Sequence, residues 1–300
     1  MSSDLVFIGG MGRSGTHALA RLLGRHACFA DVPIEARFHC DTRGMPGLLG
    51  GCVALASFLE RLRGFWWHRV RANGQPRGLY NLSTRKAFDA AVERFEDAYA
   101  SDPVAACRQL FVDLLWPLAA QEEKPGLVEM SSNNVKEAQA LRRLFAEARF
   151  VHTVRDGRDA AHSVTARAGG PDTVLEGIDW WVGLLRAIEA RVRGEEDGAA
   201  YALSASELWV VVLDDLIWGD REVAYERLLD FLGIDDDPGM AEFFELRMHP
   251  GAARVEPWRE GLGRFERRRV ERKYEAALAE LEREGNHVAR PLIDAYERLG

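Results

Sequence analysis

The chain has 300 residues, enough for one large α/β domain or two small ones. Its formal charge of −8, from 39 basic and 47 acidic side chains, argues against a general role in coating nucleic acid or clamping anionic membranes. Cys28, Cys40, Cys52 and Cys107 form no CxxC pair, a pattern that suits a reducing cytosol better than a disulfide scaffold, and the His39-Cys40 adjacency is read as incidental rather than metal-binding. Met1–Ile8 is too short and lacks the basic start of a signal peptide, and no run reaches the ~18 apolar residues of a membrane span. A cytoplasmic location is expected, with no membrane span and no nucleic-acid partner.

The first element in chain order is the most informative. The apolar run Leu5–Ile8 reads as a buried strand and meets glycines at once, in LVFIGGMGRSGTH over 5–17. A helical pattern follows through Ala18, Leu19, Leu22 and Leu23. Strand, glycine loop and helix N-terminus together make a phosphate cradle. The nucleotide-hydrolase form of this loop requires Lys after the second glycine and then Ser or Thr. Here Thr16 and His17 occupy those places, and the cation Arg13 lies inside the loop. The loop therefore suits an anion other than magnesium-bound ATP.

Further apolar runs at 126–129, 149–154 and 208–213, with a weaker one at 28–32, read as strands. Helical periodicity covers 15–26, 86–100, 103–120, 134–147, 158–167, 174–193, 221–232 and 266–284. Asp102-Pro103 has the form of an N-cap followed by proline at the first helical position. The alternation predicts an α/β fold: three layers, with a central, mostly parallel sheet between helices. The Gly- and Pro-rich stretch 41–82, which holds Trp66-Trp67, reads as an excursion carrying a lid or acceptor surface. Residues 247–265 read as a long loop that orders on binding. The charge-rich 264–284 segment reads as a solvated helix rather than a coiled coil.

A second anion motif follows the strand at 149–154. RDGRDAAHS (155–163) places Arg155 at the carboxyl edge of the sheet, turns through Gly157 and starts a helix. Ser163 lies about two helical turns further on, able to point back to the same anion. The competing reading makes Arg155–Asp159 a structural ion pair and Asp156 a helix cap. Two anion sites without the hydrolase lysine suggest a ligand phosphorylated at two separated places.

At this point the chain resembles the sulfotransferases that use 3′-phosphoadenosine 5′-phosphosulfate, and within them the bacterial and Golgi-type branches. GRSGTH is similar to their 5′-phosphosulfate loop, RDGRDAAHS to their 3′-phosphate motif, and 210–234 to a late strand, acidic turn and helix. WREGLGRF (258–265) stands where they have a basic loop that closes over the nucleotide. The resemblance implies a P-loop nucleotide-hydrolase-like sulfotransferase fold in a single domain over 1–300. Residues 36–120 form a largely helical acceptor-side excursion in it, and 247–265 the nucleotide-closing loop.

It further implies in-line transfer of a sulfuryl group from that donor to an acceptor hydroxyl, ahead of an amine, with no metal required. Gly12, Arg13, Ser14, Gly15, Thr16 and His17 would hold the 5′-phosphosulfate, the hydroxyls of Ser14 and Thr16 included, and Arg13 would stabilise charge on the bridging oxygen. Arg155 and Ser163 would hold the 3′-phosphate, with Arg254, Arg259 or Arg264 closing over it. The general base is expected at Glu35, in an E-x-R (Glu35-Ala36-Arg37) that several of these enzymes carry at a similar distance after the loop. A Glu35–Arg37 surface ion pair is the structural alternative, and His39 the rival base. His152 is expected in the core.

Arg37, His39, Trp66 and Trp67 are candidate acceptor-side residues, the tryptophans being equally readable as packing. Relatives often carry Lys or His near Met130, so no catalytic role passes to Glu129–Asn133, where Ser131 or Ser132 is expected to cap a helix. The acceptor is expected to be a small molecule, a sugar, lipid, phenol or natural product, and the sequence does not tell these apart. The alternatives are a phosphate-loop kinase or nucleotide hydrolase, favoured by the acids that end WVVVLDD (209–215), and a non-catalytic nucleotide-binding protein.

Overall fold

The computed structural model describes residues 5–70, 74–167, 169–194, 203–252 and 257–299. Among them five strands form a parallel sheet in the order β2-β3-β1-β4-β5 with helices flanking it, the α/β architecture expected. The strands are β1 (Leu5–Gly9), β2 (Phe29–Asp31), β3 (Gly126–Glu129), β4 (Arg149–Val154) and β5 (Leu208–Val212). The chain divides into two compact units. The first is 1–9 with 19–150; the second is 10–18 with 151–300.

In the first unit β1 is buried along its whole length, as a strand covered on both faces must be. It pairs in parallel with β3, Phe7 opposite Glu129, and β3 pairs with β2, Ala30 opposite Leu127. The core is aromatic: the Phe7 ring lies 5.7 Å from Phe111, and Phe111 lies 4.8 Å from Phe145. Helix α4 (Arg85–Tyr99) buries Phe88, Ala91, Val92 and Phe95 on one stripe against α5 (Pro103–Gln121). Asp102 caps α5, its carboxylate accepting from the N–H groups of Val104 and Ala105.

The 41–82 stretch is more ordered than an excursion. It contains α2 (Met45–Leu49), α3 (Leu55–Arg61), a π-helical turn (Leu62–Trp66) and a 3-10 turn (Leu79–Asn81). The helix expected over 134–147 shrinks to α6 (Ala138–Leu144).

In the second unit, residues 10–18 supply the loop and the start of α1 (Thr16–Leu23). Helices α7 (Gly157–Thr165) and α8 (Val174–Arg193) pack tightly on each other. After β5 come α9 (Leu213–Ile217), α10 (Arg221–Leu232) and α11 (Pro238–Arg247), a 3-10 turn (Pro257–Arg259), α12 (Arg264–Arg283) and α13 (Ala289–Leu299). Helix α12 is not solvated all round. Val270, Tyr274, Ala277, Leu278 and Leu281 form a buried stripe and join a core with Trp181, Ile178 and Val154. The long loop expected over 247–265 is interrupted by the Pro257–Arg259 turn, and Arg254 lies outside the described residues.

Candidate active site

The loop after β1 is held in a conformation few residues adopt. Gly10 and Gly15 have φ of 141° and 94°, and a Cβ at Gly10 would stand 2.3 Å from the Thr153 carbonyl oxygen. Arg13 has a φ of 83° without glycine's freedom, a strained position of the kind that clusters at ligand sites. Ser14 is fully buried. Its hydroxyl donates to the Met11 carbonyl (2.8 Å) and lies 2.9 Å from Thr153 Oγ1, and its N–H donates to Met11 as well (3.2 Å). The Ser14 hydroxyl, expected to meet a phosphate, here ties the loop to β4. Thr16 starts α1, buried, with His17 half-buried behind it. The first turn of any helix leaves N–H groups without intrahelical acceptors, facing the loop that precedes it. Gly12 and Arg13 are exposed.

The second motif meets this loop inside the same unit. Arg13 Nε donates to Ser163 Oγ at 2.9 Å, bridging 150 residues of sequence. β4 delivers Arg155 to the corner before α7. There Arg155 Nη2 binds Asp159 Oδ2 at 2.7 Å, while the buried Arg155 Nε has no hydrogen-bond partner. Asp156 caps α7 by accepting from Arg158 N–H (2.8 Å) and also binds the Arg158 guanidinium. Arg158 in turn stacks over Trp258, Tyr274 and Tyr296. Gly157 is required by packing, since a Cβ there would meet Tyr274 and Trp181 at 2.8–2.9 Å.

The acids of this corner are crowded. Burial, with Asp156 and Asp214 nearby and Arg155 opposing them, pushes Asp159 up to about 7; burial and Asp156 push Asp214 up to about 6. Asp214 Oδ2 accepts the Asp156 N–H at 2.6 Å, and Asp215 pairs with Arg298 at 2.5 Å. One oxygen of each acid after β5 is thus engaged within the protein, as in an ion-paired turn.

Of the closing arginines, Arg259 sits 3.8 Å from Glu271 and 5.1 Å from the Trp258 ring, and Arg264 is exposed at the start of α12. Trp258 itself is fully buried, its N–H 3.4 Å from Asp159 Oδ1. Sequence reasoning missed Thr153 and the Asp159–Trp258 link. A hydroxyl in a buried strand next to the loop motif was a readable signal for the first; the second depends on a contact 99 residues apart and had none.

In the first unit, Glu35 is bound by Arg69 rather than by Arg37: Arg69 Nη2 lies 3.4 Å from Glu35 Oε2, and Nη1 donates to the Glu35 carbonyl at 3.0 Å. Arg37 pairs with Asp41 at 2.8 Å. The hub here is Glu129, which is fully buried. Its carboxylate accepts from Ala36 N–H (3.1 Å), Ser131 N–H (2.9 Å), Ser131 Oγ (2.7 Å), Asn134 Nδ2 (2.6 Å) and His39 Nε2 (3.0 Å). Burial raises its pKa, but His39 and these hydrogen bonds outweigh burial and hold it down at about 2. Ser131 thus serves Glu129 and accepts from Arg37 N–H (3.1 Å), instead of capping a helix.

Three of the acceptor-side candidates are buried. His39 is fully buried, stacked on Phe7 and edge-on to Phe111. Trp66 donates to Asp41 Oδ2 at 3.0 Å, and Trp67 packs 4.2 Å from the Phe88 ring. All three side chains are buried in the first unit's core. His152 is in the core as expected, with burial and then His287 pushing it well below the ordinary histidine range.

Comparison with known proteins identifies the family. The model of the sulfotransferase family matches residues 5–238, so the chain belongs to that family, and its activity is sulfuryl transfer. No curated protein sequence matches the chain. Among solved structures it is similar to the sulfotransferase domain of the Synechococcus PCC 7002 olefin synthase, at 19% identity and a TM-score of 0.52, covering 92% of this chain and 94% of that one. It is also similar to the sulfotransferase domain from the curacin biosynthetic pathway, at 17% identity and a TM-score of 0.50, covering 81% and 78%. At these identities the likeness is one of fold. No helix among the described residues is long and apolar enough to cross a membrane.

Proposed function

We propose that the chain transfers a sulfuryl group from 3′-phosphoadenosine 5′-phosphosulfate to a hydroxyl of a small-molecule acceptor. The observation that carries the donor assignment is the hydrogen bond between Arg13 and Ser163, which joins two anion motifs in one unit. The orphaned Arg155 Nε beside them fits a further anionic acceptor atom. The donor supplies an activated sulfuryl group on a nucleotide with a phosphate at its 3′ position. The N-terminus of α1 receives the 5′-phosphate. Arg13 keeps a fixed positive charge at the loop, where charge develops as the sulfuryl group leaves, and this charge does not depend on a metal. Arg155 and Ser163 take the 3′-phosphate, and Arg259 or Arg264 of the 258–265 segment closes over it.

Glu35 is the proposed general base. Its segment is pinned by two backbone N–H groups, Ala36 to Glu129 and Arg37 to Ser131, and its carboxylate is oriented by Arg69. A labelled-sulfate donor incubated with a mixed metabolite extract tests the reaction: label appears in an acceptor with the wild-type protein. With Glu35→Gln, bisphosphate binding stays and turnover falls by roughly 10²–10⁴-fold. Full turnover in that variant moves the base elsewhere.

A further inference from the structure

The pairing of Arg155 with Asp159 raises a question that the donor assignment leaves open. A carboxylate 2.7 Å from the guanidinium occupies the cation that the 3′-phosphate needs. The same carboxylate's other oxygen faces the N–H of Trp258, in the turn that precedes the basic 258–265 segment. Asp159 is 2% exposed and lines a cavity of about 300 Å³ with Asp156, Asp214 and Trp258. We propose that Asp159 is a positioning residue of the donor site: in the nucleotide-free protein it holds Arg155 and the Trp258 backbone together, and on binding it releases the guanidinium to the 3′-phosphate and takes up one proton from solvent. This rests on the donor reading above.

The charge balance of the corner supports the exchange. Arg155 and Asp156 face Asp159 from the β4–α7 corner, Arg158 from α7, Asp214 from α9 and Arg259 from the Pro257–Arg259 turn. Glu271, Tyr274 and Glu275 line the cavity from α12, and Tyr296 from α13. Arg158 is already committed to Asp156. A phosphate dianion brought to Arg155 would leave an ionised Asp159 buried beside Asp156 and Asp214 with its counter-ion removed. Protonation removes that penalty at small cost, because burial already holds Asp159 at about 7. A neutral carboxyl still accepts from Trp258 N–H. The sign follows: the free protein binds this proton only below about 7, so binding that requires it weakens as pH rises above that value.

Calorimetric titration with adenosine 3′,5′-bisphosphate and with adenosine 5′-phosphate, at pH 7.0 and 8.5, reads this directly. Over that range the nucleotide phosphates are already largely dianionic, so the expected weakening of bisphosphate binding, roughly tenfold, belongs to the protein. Repeating the titration in buffers of different ionisation enthalpy gives an uptake approaching one proton at pH 8.5. Adenosine 5′-phosphate, lacking the 3′-phosphate, shows neither effect. Asp159→Asn, a neutral isostere that keeps the Trp258 contact, binds the bisphosphate with no such slope and at pH 8.5 more tightly than wild type; Asp159→Glu restores a slope. A slope that persists in Asp159→Asn, equal slopes for the two nucleotides, or no proton uptake by wild type overturns the inference. The wild-type uptake measurement decides if the variants fail to fold. Failure of wild type to bind either nucleotide overturns the donor reading itself, and this inference with it.

Discussion

Around Glu129 in the first unit, a buried carboxylate collects five hydrogen bonds, one of them from a histidine, and its pKa falls to about 2. Around Arg155 in the second, a guanidinium nitrogen is left without a partner, and two buried carboxyls, Asp159 and Asp214, rise to about 7 and 6. Both clusters sit at strand ends, and both are polar groups removed from water. In the first, the interactions offset the desolvation of the charge, which makes a rigid support for the 35–41 segment. In the second, charge is imperfectly matched, and the mismatch has the form that an incoming anion would correct. A buried carboxylate is thus a scaffold in one place and a poised group in the other, and the number of donors that reach it decides which.

Substitutions that exchange these behaviours test the contrast. The largest effect is expected at the scaffold. Glu129→Ala removes the carboxylate that accepts from His39, Asn134, the Ser131 hydroxyl and two backbone N–H groups, so chemical denaturation should show a loss of about 3–5 kcal/mol. A loss below about 1 kcal/mol would mean the hub is not structural. Next is Arg13→Ala, which removes the loop cation: turnover should fall by roughly 10²–10³-fold, with a much smaller change in bisphosphate affinity. Arg155→Ala comes third. It should weaken adenosine 3′,5′-bisphosphate by about 1.5–3 kcal/mol, read by calorimetry, and leave adenosine 5′-phosphate nearly unchanged. Equal losses for both nucleotides would detach Arg155 from the 3′-phosphate.

The second unit's site was largely legible in the sequence because its signals are local. LVFIGGMGRSGTH and RFVHTVRDGRDAAHS each carry strand, turn and helix start within about 15 residues, and the structure joins them through Arg13 and Ser163. The first unit's support was not legible. Glu129, His39 and Asn134 come together across 90 residues and more, and nothing local marks Glu129 as a hub. The same limit hid the burial of Trp66 and Trp67, since aromatics at a loop read equally well as stacking surface.

Helices were missed for a different reason. α2, α3 and α9 are five to seven residues long, too short for a 3.6-residue period to stand out. α11 could have been found: Asp237-Pro238 repeats the cap signal of Asp102-Pro103, and Asp237 does cap it, accepting from Gly239 and Met240.

The central claim is that the loop cation and the second motif form one pocket for a nucleotide phosphorylated at both its 3′ and 5′ positions. Thermal denaturation with and without magnesium measures it most directly. Adenosine 3′,5′-bisphosphate should raise the melting temperature in the absence of magnesium, and ATP should raise it far less under either condition. A larger, magnesium-dependent rise with ATP would contradict the account.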